Sequence, residues 1–217
     1  MPTLLRVDAS FRTDGSVSRA VADSATDAWL AEHPTGTVVR RDLSASPLPA
    51  TAWVDALAAA PLPEQDRTPA QREAHQLVTT LADELIGADQ LVLASPLFNF
   101  GVSQYTKVWI DLLIADPRLG PGTTALQGRG ALVVASQGGG YRPGTPRHGW
   151  DHATAYLERI LGDVFGMAVD TVTADLTLAP VTPQMAHLVE AAEVALREAH
   201  TAAAAHGTRL AGRSVAA

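Results

Sequence analysis

The chain has 217 residues, a hydrophobic fraction of 47% and a formal net charge of −7, enough for one domain with a proper core and short for two. With no basic run and no interleaving of aromatic and basic residues, the composition argues against nucleic acid as the main partner. The absence of cysteine removes disulfides, thiolate nucleophiles and cysteine-based metal sites together.

Thr3 to Val7 is a short apolar run ending in Asp and Ser and reads as a first strand. The polar loop "DASFRTDGSVS" follows, then a helix from about Val17 to His33, with Ser16 or Ser18 placed to cap it and Val21, Ala25, Ala28 and Trp29 as its apolar stripe. "TVVRRDL" is the second strand. Residues 44–68, rich in Pro and Ala, read as an excursion carrying a short helix around Ala52 to Ala59. A helix over Pro69 to Gly87 precedes the third strand, "DQLVLAS", and another helix runs to about Asp116. "ALVVAS" is the fourth strand, "QGGGYRPGTPRHG" a glycine-rich loop, and Trp150 to Phe165 a helix. "AVDTVTAD" is the fifth strand; a last helix covers Pro183 to His206 and the tail is expected to fray.

Strands thus alternate with helices, and the central strands are nearly continuous apolar runs, as in sheets covered on both faces. The expectation is an α/β three-layer sandwich with a five-stranded parallel sheet, the whole chain 1–217 forming one domain. No apolar run approaches the ~20 residues that span a bilayer, and the N-terminus lacks the apolar core of a signal peptide. A soluble, cytoplasmic protein without membrane partners is therefore expected. Arg6, Arg12, Arg19, Arg40 and Arg41 leave room for a local positive site near the N-terminus.

Ligands of open parallel sheets bind beyond the carboxyl ends of the strands, and three loops there have unusual composition. The first places Ser10, Ser16 and Ser18 around a helix N-terminus, where free amides and the dipole favour a phosphate monoester, with Arg12 to assist. The second, "SPLFNFG", joins an apolar wall of Leu97, Phe98 and Phe100 to the polar Asn99; that suits a flat, partly polar heterocycle, though the same phenylalanines could plug the core. The third, "SQGGGY", lets backbone approach a ligand closely, or is simply a flexible turn. Together they favour a flat cofactor carrying a phosphate.

Ser10 with Ser16-Val17-Ser18, Pro96-Leu97-Phe98-Asn99-Phe100 and Ser136-Gln137-Gly138-Gly139 make the chain similar to the FMN-dependent NADH:quinone oxidoreductases known as azoreductases. The resemblance covers nearly the whole chain and implies a flavodoxin-like fold. It implies bound FMN, its phosphate in the first loop, its ring along the second, and the pyrimidine side of that ring against main-chain groups of the third. It further implies NADH or NADPH as co-substrate, quinone or azo acceptors reduced in a ping-pong scheme, and a homodimer with FMN near the interface. Phe98 stands where the family often has Tyr, Gln137 where several members have Arg, and the segment 117–130 lacks the aromatic excursion of many members.

By resemblance to a related mammalian quinone reductase family, Tyr141 and His148 are candidate proton donors or substrate contacts. His148 and His152 are four apart, but with no glutamate, Gly149 between them and no third ligand, no metal is expected. Ser136 in "VASQG" only loosely resembles a nucleophile elbow, since Val134 replaces the small first residue that turn needs. The competing reading is a flavodoxin-like FMN-binding protein or flavin reductase without quinone or azo reductase activity. Val108, Trp109, Leu112 and Leu113 on one helix, and Tyr156, Ile160 and Phe165 on another, suggest apolar surface to spare for a second copy.

Overall fold

Successive residues of a strand face opposite ways, and here that alternation sorts the core into two layers. In a computed structural model describing residues 1–213, Leu5, Val7, Leu91, Leu93, Ala131 and Val133 point to one face of a sheet, and Leu4, Val92, Ala94, Leu132 and Val134 to the other. The strands are β1 (Thr3–Asp8), β2 (Thr37–Asp42), β3 (Gln90–Pro96), β4 (Gly130–Ser136) and β5 (Ala168–Ala174). They form one parallel sheet in the order β2-β1-β3-β4-β5. This is the expected three-layer α/β sandwich.

Two helices, α1 (Val17–Glu32) and α6 (Val189–Ala211), cover the second face, with Gly207 of α6 set directly against the Ala25 backbone of α1. The first face is covered by α2 (Ala52–Ala59), α3 (Pro69–Gly87), α4 (Gln104–Ile114) and α5 (Thr154–Glu158). Local sequence sets several of these starts. Thr68 and Gln71 close a reciprocal capping box on α3, with Pro69 in the first helical position, and the Ser103 hydroxyl accepts from the Thr106 amide at 3.1 Å to cap α4.

Three expectations need correction. The helix expected over Trp150 to Phe165 is α-helical only over Thr154–Glu158; it starts late because Asp151 Oδ1 accepts from the amides of Ala153 and Thr154, and it widens into a π-helical turn over Arg159–Val164. The last helix starts as a 3₁₀ turn over Pro183–Leu188, becomes α-helical at Val189, and continues past His206 to Ala211; the tail beyond residue 213 lies outside the described residues. Finally, Trp109, Leu112, Leu113 and Phe165 are buried in the chain's own core, leaving Val108, Tyr156 and Ile160 half-buried, so this apolar surplus is smaller than the sequence suggests. Among the described residues no helix is long and apolar enough to cross a membrane.

Candidate active site

The chain leaves β1 toward β2 on one side and returns to β3 on the other, so the strand order reverses between β1 and β3. A cavity of about 1020 Å³ opens there, walled by the loops after β1, β3 and β4 and by residues 177–185 after β5. Ordinary small-molecule sites occupy roughly 300–1,000 Å³, so this one lies at the upper end of that range and has room for a ligand of cofactor size.

The first loop leads into α1. Ser16 is its N-cap residue, with extended backbone (φ −75°, ψ 113°), yet no side chain caps the helix. The Ser16 hydroxyl oxygen instead lies 3.4 Å from that of Ser18. First-turn amides have no intrahelical partner, and here they also lack the side-chain cap that α3 and α4 carry. Ser10, Ser16 and Val17 line the cavity, so this positive helix end opens into it. Ser18 is wholly buried and brings no side-chain surface to the cavity wall.

Arginine 19 fixes this loop in place. Its Nη2 donates to the Ser10 carbonyl at 2.8 Å, and its two Nη groups donate to the Asp42 carboxylate at 2.6 and 3.0 Å. Hydrogen bonding from Arg19 holds the Asp42 carboxyl well below the usual carboxylate range, against the opposing effect of burial. Arg6 is fully buried, and its five N–H groups are all used: Nε and Nη2 donate to Asp8, Nη1 to Asp23 and Thr26, and Nη2 also to the Arg19 carbonyl. Arg41 pairs with Glu84, and Arg40 lies 3.8 Å from Asp23. The positive site suggested by the N-terminal arginines therefore reduces to Arg12, which lines the cavity beside the Phe11 ring.

The second loop is a tight hairpin. Phe98 and Gly101 exchange both backbone hydrogen bonds, at 3.1 and 3.0 Å, around Asn99 (φ 47°) and Phe100 (φ 68°). Two central residues with positive φ make a type I′ turn, for which Asn is a preferred first residue and a bulky aromatic an unfavourable second one. The strained Phe100 is held from outside: its ring meets Trp150 and Tyr141 edge-on at 5.3 and 6.3 Å. Phe98 packs on Phe11 of the first loop at 5.1 Å. Pro96, Leu97, Phe98, Asn99 and Phe100 all line the cavity, so these phenylalanines form its wall and do not plug the core.

The third loop divides its work. Ser136, Gly138 and Gly139 line the cavity. A Cβ on Gly138 would lie 2.7 Å from the Leu178 side chain, so this glycine makes room for the loop after β5. That loop is tied on by hydrogen bonds from the Thr177 and Leu178 amides to the Gln137 and Gly138 carbonyls. The buried Gln137 side chain points away from the cavity and donates from Nε2 to Asp151 at 2.6 Å, joining the loop to the start of α5. Tyr141 lines the cavity; His148, on an exposed turn just before Gly149 (φ 83°), does not. Behind the loop, Asp175 pairs with Arg142 at 2.5 Å; burial pushes its carboxyl above the usual range, with Arg142 opposing and Asp151 adding to the shift.

Sequence reasoning brought the cavity's Ser10, Ser16, Val17, Pro96 to Phe100, Ser136, Gly138, Gly139 and Tyr141 to notice; it missed Phe11, Arg147, Val181 and Met185. A signal existed for Arg147, a cation in the same glycine-rich loop; none existed for Val181 and Met185, which arrive through the fold. Among the described residues no acidic side chain lines the cavity, and no three potential metal ligands cluster anywhere. The arrangement can bind a phosphate at one end, sandwich a flat ring, and offer backbone groups to its edge.

A family model described as flavodoxin-like fold matches residues 2–199. The chain is 40% identical over 196 residues to the FMN-dependent NADH:quinone oxidoreductase of Frankia alni, which covers 89% of this chain and 92% of that protein. It is 37% identical over 218 residues to the protein of the same name from Streptomyces avermitilis, across 100% of both chains. Among solved structures, the azoreductase of Bacillus anthracis superposes with a TM-score of 0.81 at 20% identity, over 96% of this chain and 100% of that one. An FMN-dependent NADH-azoreductase of the same species, in complex with FMN, superposes with a TM-score of 0.79 at 19% identity, over 96% and 99%. At these identities the structural likenesses establish a common fold.

Proposed function

The chain belongs to the family of flavodoxin-like fold, and on that premise we propose that it is an FMN-dependent oxidoreductase passing electrons from NADH to quinone and azo acceptors. The observation that carries this reading is the uncapped N-terminus of α1, opening into an aromatic-walled cavity that no acidic side chain lines among the described residues. That donor set fits FMN. A dianionic phosphate meets free amides and hydroxyls there, and a flat ring meets phenylalanine faces and glycine backbone. FMN, when bound, supplies the hydride-accepting and electron-donating chemistry that no side chain here provides.

The residues then divide as follows. Ser10, Ser16 and the amides of Val17 and Ser18 hold the phosphate, with Arg12 beside them. Pro96, Leu97, Phe98, Asn99 and Phe100 carry the ring's wall and edge, and Ser136, Gly138 and Gly139 offer backbone groups to it. Gln137 acts indirectly: it holds the third loop to Asp151. Tyr141, at the cavity wall, meets the second reactant, whereas the exposed His148 is set aside as a substrate contact. Donor and acceptor use the same open part of the cavity in turn, which is a ping-pong order. We also propose that residues 1–217 act as one domain, that two copies associate near the cavity, and that the enzyme works in the cytoplasm, where NADH is available. Exposed Phe11, Leu178 and Val181 near the cavity support the pairing of copies.

The test begins with the absorbance spectrum of the purified protein and the flavin released on denaturation. A protein that is colourless and takes up no FMN on incubation sinks the reading. A yellow protein that NADH bleaches, but that anaerobic quinone does not reoxidise, would instead be a flavin-binding protein without quinone reductase activity.

A further inference from the structure

We propose that Arg147 is a specificity-determining residue of this site, recognising an anionic group on the planar reactant that shares the cavity with the cofactor. The inference rests on the reading of the site as an FMN oxidoreductase. The chain carries a formal net charge of −7, yet this cavity is lined by two arginines, Arg12 and Arg147, and by no acidic side chain among the described residues. The two lie in different loops, after β1 and after β4, with β3 between them. Adjacent strands are about 4.8 Å apart, so the two loops spring from strand ends roughly 10 Å apart. The phosphate end, with Arg12 and the start of α1, accounts for one positive pole. Arg147 is a second pole, and one phosphate monoester does not explain it.

The local geometry supports a ligand-facing role. Arg147 forms no ion pair with the described residues, whereas Arg142 of the same loop is committed to Asp175 at 2.5 Å. The Arg147 guanidinium carbon sits 5.9 Å from the centroid of the Phe100 ring. Its Nη1 lies 3.8 Å from where Gly139 would carry a Cβ, beside the Tyr141 ring on the same wall. A guanidinium resting on an aromatic face is planar and weakly hydrated, and it pairs with carboxylate, sulfonate or phosphate oxygens through directed N–H groups. One such anion is the pyrophosphate of NADH; another is an acidic substituent on the quinone or azo acceptor.

The experiment compares FMN-loaded wild type, Arg147→Gln and Arg147→Lys. Equilibrium affinity for two unreactive probes, 2-naphthalenesulfonate and neutral 2-naphthol, is read from the perturbed flavin spectrum. Arg147→Gln is expected to lose about ten-fold in affinity for the sulfonate, the scale of one charge-assisted hydrogen bond, with the naphthol unchanged and Arg147→Lys, which keeps the charge but not the planar fork, recovering only part of the loss. Anaerobic stopped-flow separates the sources. Slower flavin reduction by NADH, but not by 1-benzyl-1,4-dihydronicotinamide, assigns the group to the pyrophosphate. Slower reoxidation by 1,2-naphthoquinone-4-sulfonate, but not by menadione, assigns it to the acceptor. Either result, or both, supports the proposal. Equal effects on charged and neutral partners, or none, overturn it. So does loss of FMN from Arg147→Gln, which would assign the residue to the cofactor. Wild-type protein that binds no FMN fails the functional reading itself, a separate outcome.

Discussion

The amide of His152 donates to the carbonyl of Phe100 at 2.9 Å, so the loop after β4 grips the strained residue of the loop after β3. Two cavity walls are thereby set against each other by a backbone hydrogen bond, with the Trp150 and Tyr141 rings packed around the same phenylalanine.

The hairpin at Asn99 should respond to backbone preference more than to side-chain polarity. Its φ of 47° suits Asn or Gly and opposes a β-branched residue. Asn99→Val is expected to cost about 1–3 kcal/mol in stability and to lower FMN occupancy. Asn99→Gly should keep the fold and lose only the contribution of the carboxamide. Urea denaturation and flavin content of both variants check this; equal stability of the two would show that the turn is not under backbone control.

One amide at the start of α1 can be deleted without disturbing the helix. Val17 occupies the first helical position, where proline is tolerated, and Ser16 already has the extended backbone that a following proline requires. Val17→Pro should leave thermal stability nearly unchanged and weaken FMN by about ten-fold, the scale of a hydrogen bond to a charged group. Riboflavin, which lacks the phosphate, should bind both proteins alike. Isothermal titration of the apoproteins with the two flavins decides it.

Helix α6 meets α1 with no space to spare. A Cβ on Gly207 would fall 2.1 Å from the Ala25 carbonyl oxygen, a backbone atom that cannot swing aside. Gly207→Ala should therefore destabilise the protein by roughly 1–3 kcal/mol, as overpacking does, although alanine is the better helix former. A rise in the urea midpoint would contradict the packing reading.

Two aspartates should show opposite pH dependence. Asp42 is held low by Arg19, so it contributes stability at neutral pH that is lost as pH falls below the ordinary Asp value of about 3.9. Asp175 is held high by burial, and its Oδ1 is buried with no hydrogen-bond partner in the described structure. An acid whose folded pKa is raised is costly once ionised and costless when protonated in both states. Asp175→Asn should thus match or exceed wild type at about pH 7, with any advantage shrinking toward pH 4. Asp42→Asn should be weaker at neutral pH, its deficit narrowing below about pH 4. Denaturant midpoints across that range test both signs.

Much of the fold was legible because the central strands carry continuous apolar runs and helices such as α3 and α4 carry their own capping residues. Thr68-Pro69 with Gln71 marks α3 unambiguously. The start of α5 departs from the sequence expectation because the Asp151 carboxylate holds the amides of Ala153 and Thr154, and the shift to π-helical geometry at Arg159 has no periodic signature. Within the site, the serines, Phe98 to Phe100 and the glycines were legible as loop composition at strand ends. What composition could not reveal is direction. Gln137 and Arg147 sit in one loop, yet the first side chain turns to Asp151 and the second faces the cavity. Likewise Arg6 and Arg12 look equivalent in sequence, but only a strand position under α1 buries the former.

The ties between the loop after β4 and the segment after β5 also order events in time. Gln137 draws its amide's partner from Ala174, and its carbonyl and that of Gly138 are bound by Thr177 and Leu178. A chain emerging from the ribosome has synthesised all the serines and aromatics of the site before it can brace the glycines. On the proposed reading of the site, flavin capture is expected to be a late event, completed when the edge strand docks. During refolding, quenching of free FMN fluorescence should lag the recovery of far-ultraviolet circular dichroism; simultaneous recovery would mean that the glycine loop sets without its brace.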